Sequence, residues 1–392
     1  MSYPVVTIDP SMKIEELIDP VEGTGYLRKF WVEHPQLGLS LIKLEEDTAP
    51  AWSEKVSYEI ATRLKLPAAS YEFGELVGWS DYPDKTKIVI SPNFKRTDTR
   101  YVQGAELLFV QTNTDDSYSV AGVLETLTQN EVQLPNGYQA PNGINDGTDL
   151  FVGYLLLDSL TANNDRHSGN WEIGLDNRGI KTLAPVYDNG ASFATTFGSI
   201  VYGNYTVEQY MNTDLSSFGE FQAETFKQAA QVRPQAAKAW LRQLAQIQQQ
   251  QLEDIFARIR EDRITPEQGA FAIELLSYNR SQLLNFRSEL DPSLQDLASL
   301  YQRYSQNTTT KGLAEAVEIA KNALADGVKP EIVADLLANN NEAYQELLVS
   351  SSDRQARKIV VRKAQVELAL SREKRSSPQQ LLNNDRSKGK SR

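Results

Sequence analysis

An α+β protein with two lobes is predicted by three observations. The first hundred or so residues are strand-rich with a single helix, the chain turns helical from about Gly104, and a strand hairpin interrupts those helices directly after the polar loop "DRHSGN". A β-rich amino-terminal lobe followed by a mainly helical lobe is the simplest packing of such a pattern.

Taken in order, "YPVVTI", "LRKFWVE", "LSLIKLE", "YEFGELVGW" and "KTKIVIS" read as strands separated by Asp-Pro, Gly-Thr-Gly and Tyr-Pro-Asp turns. The helix among them starts near Trp52 and Ser53, with Ser53 capping its first turn, and stops before Pro67. At ~100° per residue Val56, Tyr58, Ile60, Ala61 and Leu64 form its apolar stripe. Glu54 falls on the inward edge of that stripe, and Glu59 is expected to be solvated. "FVGYLLLDSLTA" is the most apolar helical stretch and reads as a core element that delivers "NNDRHSGN" from its carboxyl end. "WEIGLD", the turn "DNRG" and "GIKTLAPVYD" form the hairpin. Beyond Gln222 the chain is almost wholly helical, and "QQQQ" within "AWLRQLAQIQQQQLEDIFARI" reads as one exposed helix face. The expected boundaries are an N-lobe over 1–100, a C-lobe over 101–290, a helical extension over 291–376 and a basic tail over 377–392 without the apolar content to order itself.

Composition removes several chemistries. The chain has 392 residues, no cysteine and two histidines, which excludes disulfides, thiol nucleophiles and thiolate zinc, and disfavours a histidine metal site. Any metal should be hard and oxygen-bound. No leader-like or bilayer-length apolar segment is read, so a cytoplasmic protein without membrane insertion is expected. The net charge of −12 speaks against nucleic-acid binding by the whole molecule, yet the chain turns basic from Ser351 onward. An acidic or nucleic-acid partner for that basic end is therefore one expectation, beside a merely solvated extension.

Asp165 and Asn170 stand five apart on a loop, and the hairpin after them can return Asp188 to the same place. Two carboxylates and an amide oxygen around one point suit Mg²⁺, which keeps company with phosphates. Phosphoryl transfer needs that set: an acid group to take a hydroxyl proton, and oxygen ligands for metal. The spacing D-x-x-x-x-N, a hairpin and then a metal aspartate match the catalytic segment of protein kinases. The other parts lie upstream in order. Gly23 and Gly25 in "EGTGYLRKFWV" can let a turn approach phosphates, or simply close a hairpin. Lys43 in a strand and Glu54 on the next helix can form the lysine–glutamate pair that orients the nucleotide phosphates, with the ammonium pointing into a cleft and adding little to folding, or a surface ion pair. In "KIVISPNFKR", backbone groups from about Ile90 to Phe94 can read an adenine edge. His167 reads as a loop-holding residue, and Arg166 as either a phosphate ligand or the partner of a carboxylate.

"SEKVSYEIATRLKLPAAS", "NFKR", "NNDRHSGN" and "LAPVYDNGASF" together resemble the HipA family of bacterial serine/threonine kinases, over roughly Glu22 to Phe193. The resemblance implies a bilobal protein-kinase-like α+β fold with a helical carboxyl-terminal extension. It implies ATP and Mg²⁺ as cofactors, Asp165 as catalytic base, Asn170 and Asp188 as metal ligands, and Lys43 on the nucleotide phosphates. It also implies a protein substrate and a toxin–antitoxin setting with an antitoxin-type partner. Three departures stand out. Glu22 occupies the place of the family's loop serine, leaving Thr24 as the only aliphatic hydroxyl in "EGTGY"; the loop glutamine is absent; and Lys95 replaces the hinge aspartate. Self-inactivation by phosphorylation of that serine does not carry over. "DRHSGN" is also similar to the catalytic loop of phosphatidylinositol kinases, so a lipid or small-molecule kinase and a non-catalytic nucleotide-binding scaffold stand as alternatives.

Overall fold

A computed structural model of the chain describes residues 2–12, 14–16, 29–45, 51–112, 118–213, 215–290, 297, 301–306, 308 and 310–376. Gly23, Gly25, Glu22 and Thr24, and the tail beyond Ser376, lie outside them. The chain divides into two compact units, residues 1–290 and 291–392.

In the first unit, β1 (Val5–Ile8), β2 (Ile14–Glu16), β3 (Lys29–His34), β4 (Gly38–Leu44), β5 (Glu72–Leu76) and β6 (Thr86–Pro92) form one sheet in the order β1-β5-β6-β4-β3-β2. Helix α1 (Ala51–Arg63) crosses from β4 to β5. Only the β1–β5 pair is parallel, as a crossover through the intervening strands requires. β4 and β6 are interior strands. Ile42 faces Ile90, and with Ile8, Phe30, Val32 and Ile88 they bury one face of the sheet, which is why "KIVIS" reads as a nearly continuous apolar run. Val56, Ile60 and Ala61 on α1 and Leu64 just past its end are fully buried, as the stripe predicts, whereas Tyr58 is only half-buried. Ser53 is not the cap. The helix runs from Ala51, so Ser53 stands within its first turn and not before it, and its hydroxyl donates to the Gly190 carbonyl (2.7 Å).

The second lobe opens with β7 (Thr99–Gln103), α2 (Gly104–Thr112) and α3 (Val120–Gln129), followed by α4 (Gly147–Thr161), β8 (Glu172–Asp176) and β9 (Lys181–Leu183). Every residue of α4 is buried, so this mostly apolar helix is covered on all sides, its few polar side chains included. Asp146 caps its start by accepting from the Asp149 N–H, and Ala162, in the left-handed region at φ 52°, ends it. Around α4 pack α5 (Val207–Met211), α6 (Gln222–Val232), α7 (Pro234–Gln246), α8 (Gln249–Phe256) and α9 (Pro266–Leu290). Gly153 is needed where α4 meets α7: a Cβ there would lie 2.5 Å from the Trp240 ring. The glutamine run is not one helix face. The chain breaks at Ile247, and Gln248 forms a reciprocal cap with Gln251 that starts α8, an option that a helical period alone conceals.

The second unit is helical, with helices at Leu313–Ala325, Pro330–Asn340, Glu342–Ser350, Asp353–Ile359 and Val361–Ser376 around its own core of Ile319, Ala320, Leu336, Leu337, Tyr344 and Val360. No described helix is long and apolar enough to cross a membrane.

Candidate active site

The loop that α4 delivers is built on a buried arginine. Asp158, one turn before the end of α4, holds Arg166 bidentately at 3.0 and 2.9 Å. The remaining N–H groups of the guanidinium reach the carbonyls of Asn170 and Tyr187 (both 2.8 Å) and Oδ1 of Asn189 (2.5 Å). Arg166 is thus the partner of a carboxylate, not a phosphate ligand. Both ends of the active-site segment, the loop and the residues flanking Asp188, hang on this one side chain. Tyr118 adds a hydrogen bond to the Arg166 carbonyl.

On this frame Asp165 points outward, with about half of its side chain open. Asn170, nearly buried, donates its amide nitrogen to the Asp165 carbonyl (2.6 Å) and to Oδ2 of the Asp165 carboxylate (3.2 Å). That fixes the amide so that its oxygen is the end left to meet a cation. Partial burial raises the Asp165 pKa, nearby Asp188 adds to the rise, and His167 and the Asn170 hydrogen bond oppose it. His167 accepts the Gly169 N–H at Nδ1 (2.9 Å), a loop-holding contact, while its Nε2 lies 3.9 Å from Asp165.

The hairpin returns the chain as expected, and Val186 pairs with Ala68, a few residues before β5. Asp188 then adopts φ 55°, a strained setting for a residue with a Cβ, held by its N–H to the Tyr71 hydroxyl (3.1 Å). Lys43 Nζ donates to Asp188 Oδ1 (2.6 Å) and to Glu54 Oε1 (2.5 Å), and the other Glu54 oxygen accepts the Asn189 N–H (2.9 Å). Glu54 therefore ties α1 to the β4 lysine and to the backbone beside Asp188. Burial alone would lower the Lys43 pKa, but Asp188 and Glu54 hold it well above the usual lysine value. Burial likewise works to raise the Asp188 pKa, and Lys43 and then Lys29 overcome it, holding the carboxyl well below the usual range. Glu54 keeps a raised pKa because its burial outweighs Lys43.

Lys43 does not point into open solvent; it is 5 % exposed. Removing it leaves two facing carboxylates. Lys43→Met is accordingly expected to lower stability by about 3 kcal/mol, at the low end for breaking a buried pair because Glu54 can take up a proton, alongside a large loss of any nucleotide-dependent activity. Chemical denaturation reads the first and ATP turnover the second. Glu54→Gln should weaken both, and Glu59→Gln should spare activity. Glu59 stands on the other side of α1, although it is not freely solvated: it pairs with Lys55 (3.0 Å) and Arg63 (3.0 Å).

Ile90 belongs to the interior of β6, between β4 and β5, so its backbone is sheet and not adenine edge; its strand context pointed that way. Phe94 lies past the strand end, its ring 5.7 Å from that of Tyr187, and Lys95 pairs with Glu172 (2.8 Å) across the two lobes. Sequence reasoning missed Lys29, which sits directly across from Lys43 in the sheet with Nζ 3.9 Å from Asp188 Oδ2. It also missed Tyr71 and Asp158. Only the register of β3 against β4 signals Lys29, and no local pattern signals the other two.

Among the described residues no cluster of three or more His, Cys, Asp or Glu side chains is arranged to hold a metal. Asp188, held ionised, and the oriented Asn170 amide instead offer the sparse oxygen set suited to Mg²⁺ that keeps waters and phosphate oxygens in its shell.

No protein-family model matches the chain. No curated protein matches it in sequence. Among solved structures it is similar to the proinflammatory kinase CtkA of Helicobacter pylori, at 16% identity and a TM-score of 0.53, over 74% of this chain and 99% of that one. It is also matched, at 12% identity and a TM-score of 0.44, to a structure of the Shewanella oneidensis MR-1 toxin–antitoxin system with HipA, HipB and operator DNA, over 71% of this chain and 72% of that one. The kinase-like α+β fold that the motifs imply is, by the first of these likenesses, the fold this chain has.

Proposed function

We propose that the chain is an ATP- and Mg²⁺-dependent phosphotransferase of HipA type that acts on a serine or threonine hydroxyl of a protein. The observation that carries this reading is the Glu54–Lys43–Asp188 chain of contacts, which joins the sheet to the loop segment beside Asp165 and Asn170. In this reading Lys43, steered by Glu54, binds nucleotide phosphates, and Asn170 and Asp188 hold Mg²⁺, which when bound neutralises phosphate charge. Asp165 takes the proton of the acceptor hydroxyl as that oxygen bonds to the γ-phosphorus and the bond to the β–γ bridging oxygen breaks, releasing ADP. Ser91 to Phe94, beyond the point where β6 stops pairing with β5 although Ser91 and Pro92 still pair with β4, is the segment that this reading assigns to the adenine edge.

A lipid kinase needs cationic side chains near the acceptor to hold an anionic head group. From Asn189 to Leu215 there is no Lys or Arg, and several Ser, Thr and Tyr hydroxyls occur, which favours a polypeptide acceptor and self-labelling. An antitoxin-type partner rests on the sequence resemblance alone.

The test is transfer from γ-labelled ATP by purified protein into itself, into lysate proteins and into phosphoinositide vesicles, with Asp188→Ala as the comparison. Protein labelling that needs Mg²⁺ and vanishes in a folded Asp188→Ala variant is expected. Lipid labelling lost in that variant would make the chain a lipid kinase; full activity of the variant would remove Asp188 from the metal site.

A further inference from the structure

The second unit carries a feature the phosphotransfer site does not use. Its helix Asp353–Ile359 and the first turn of the helix Val361–Ser376 border an open cavity of about 870 Å³. Arg354, Arg357, Lys358 and Arg362 line it with the amides of Gln355 and Gln365, and among the described residues no carboxylate contributes to its wall. The arrangement follows from packing. Ala356, Val360, Val361 and Ala364 go into the core of this unit, which turns Arg354, Lys358 and Arg362, four residues apart, outward along one exposed line. From Arg354 to Val366 the sequence has no acidic residue to neutralise them.

Like charges four apart on one helix, as Arg354 and Lys358 are, destabilise it by a few tenths of a kcal/mol, so that pair costs stability in isolation. An anion with regularly spaced charges reverses that cost. We infer that this groove binds the phosphodiester backbone of a nucleic acid. Arginine forks match phosphate oxygens, and glutamine amides add neutral donors beside them. An acidic protein partner is less well suited, because the groove offers Ile359, Val361 and Pro330 but no aromatic side chain to anchor a protein interface. The same lack of aromatics removes base stacking, so contact with the backbone and tolerance of sequence follow. With a chain of net charge −12, the attraction must be local and steeply dependent on salt.

Fluorescence anisotropy with the full-length protein tests this, using a labelled duplex of about 24 base pairs, the matching single strand, and NaCl from about 50 to 200 mM. Binding in the micromolar range is expected. A variant with Arg354, Lys358 and Arg362 all changed to Gln, with an unaltered circular dichroism spectrum, should bind more than about tenfold more weakly, and its log Kd against log salt slope should fall by roughly 2 to 3. The two DNA arms show which form is preferred. Changing Arg386, Lys388, Lys390 and Arg392 to Gln should leave most of the affinity. The inference is overturned if neither oligonucleotide binds, if the groove variant binds like the parent, if the tail variant alone abolishes binding, or if polyglutamate of equal charge competes as well as DNA does.

Discussion

Asp165→Asn is expected to reduce phosphoryl transfer by about 10²- to 10⁴-fold while ATP binding persists, the range that loss of a positioned general base produces. The substitution keeps the size of the side chain and its capacity to accept from Asn170, so the loop should stay in place, and an unchanged melting temperature checks that. On the proposed function, the parent protein should show the complementary pH dependence. A base works only when deprotonated, so kcat/KM falls as pH drops through the Asp165 pKa, and partial burial places that limb above the ordinary aspartate value of 3.8. A wild-type rate in the variant, or an acidic limb that survives it unchanged, would assign proton transfer to another group.

Arg166→Met should have the largest effect on the fold. The side chain is 1 % exposed and donates all five of its N–H groups, so its loss strands the Asp158 carboxylate in the interior and leaves two carbonyls and an amide oxygen without donors. Removing one partner of a buried ion pair costs about 3–5 kcal/mol, a large part of the stability of an ordinary domain. Arg166→Lys keeps the charge but cannot form the fork, and should recover only a minor part of that loss. Urea unfolding of the three proteins measures both differences. A stability loss under 1 kcal/mol in Arg166→Met would mean that water or rearranged neighbours satisfy Asp158.

Much of this was legible because it is local. The strands announce themselves by alternation or by buried apolar runs bounded by turns. Asp165, Asn170 and the hairpin to Asp188 occupy one short stretch, so their proximity follows from a single turn. Lys43 and Glu54 were readable because the strand and the helix face are both periodic. The rest depends on pairings that no window contains. Tyr71 reaches Asp188 from 117 residues away, and Ser53 reaches Gly190 from 137. Ile90 was given to the nucleotide because a strand and its exit loop look alike in sequence; the partner strands decide where the ladder ends. The depth of Lys43 was misjudged for the same reason, since Tyr71 and Asp188, which gather around its ammonium with Glu54, lie far from it in sequence. Ile247 shows the converse failure, a helix break set by a side-chain cap within a run whose helical period continues across it.

The commitment of Arg166 bears on regulation. An arginine beside a catalytic aspartate, when its guanidinium is free, can receive a phosphate carried by the segment that follows the metal aspartate, and the enzyme then stays off until that segment is modified. Here the guanidinium is fully occupied by Asp158, Asn170, Tyr187 and Asn189, and no other arginine or lysine lies between Asn189 and Leu215. Any phosphate placed on those hydroxyls finds no cation at this position. The hydrogen bonds made on folding already fix the loop, so in the proposed phosphotransferase this guanidinium is not a switch that a phosphate on the following segment could throw.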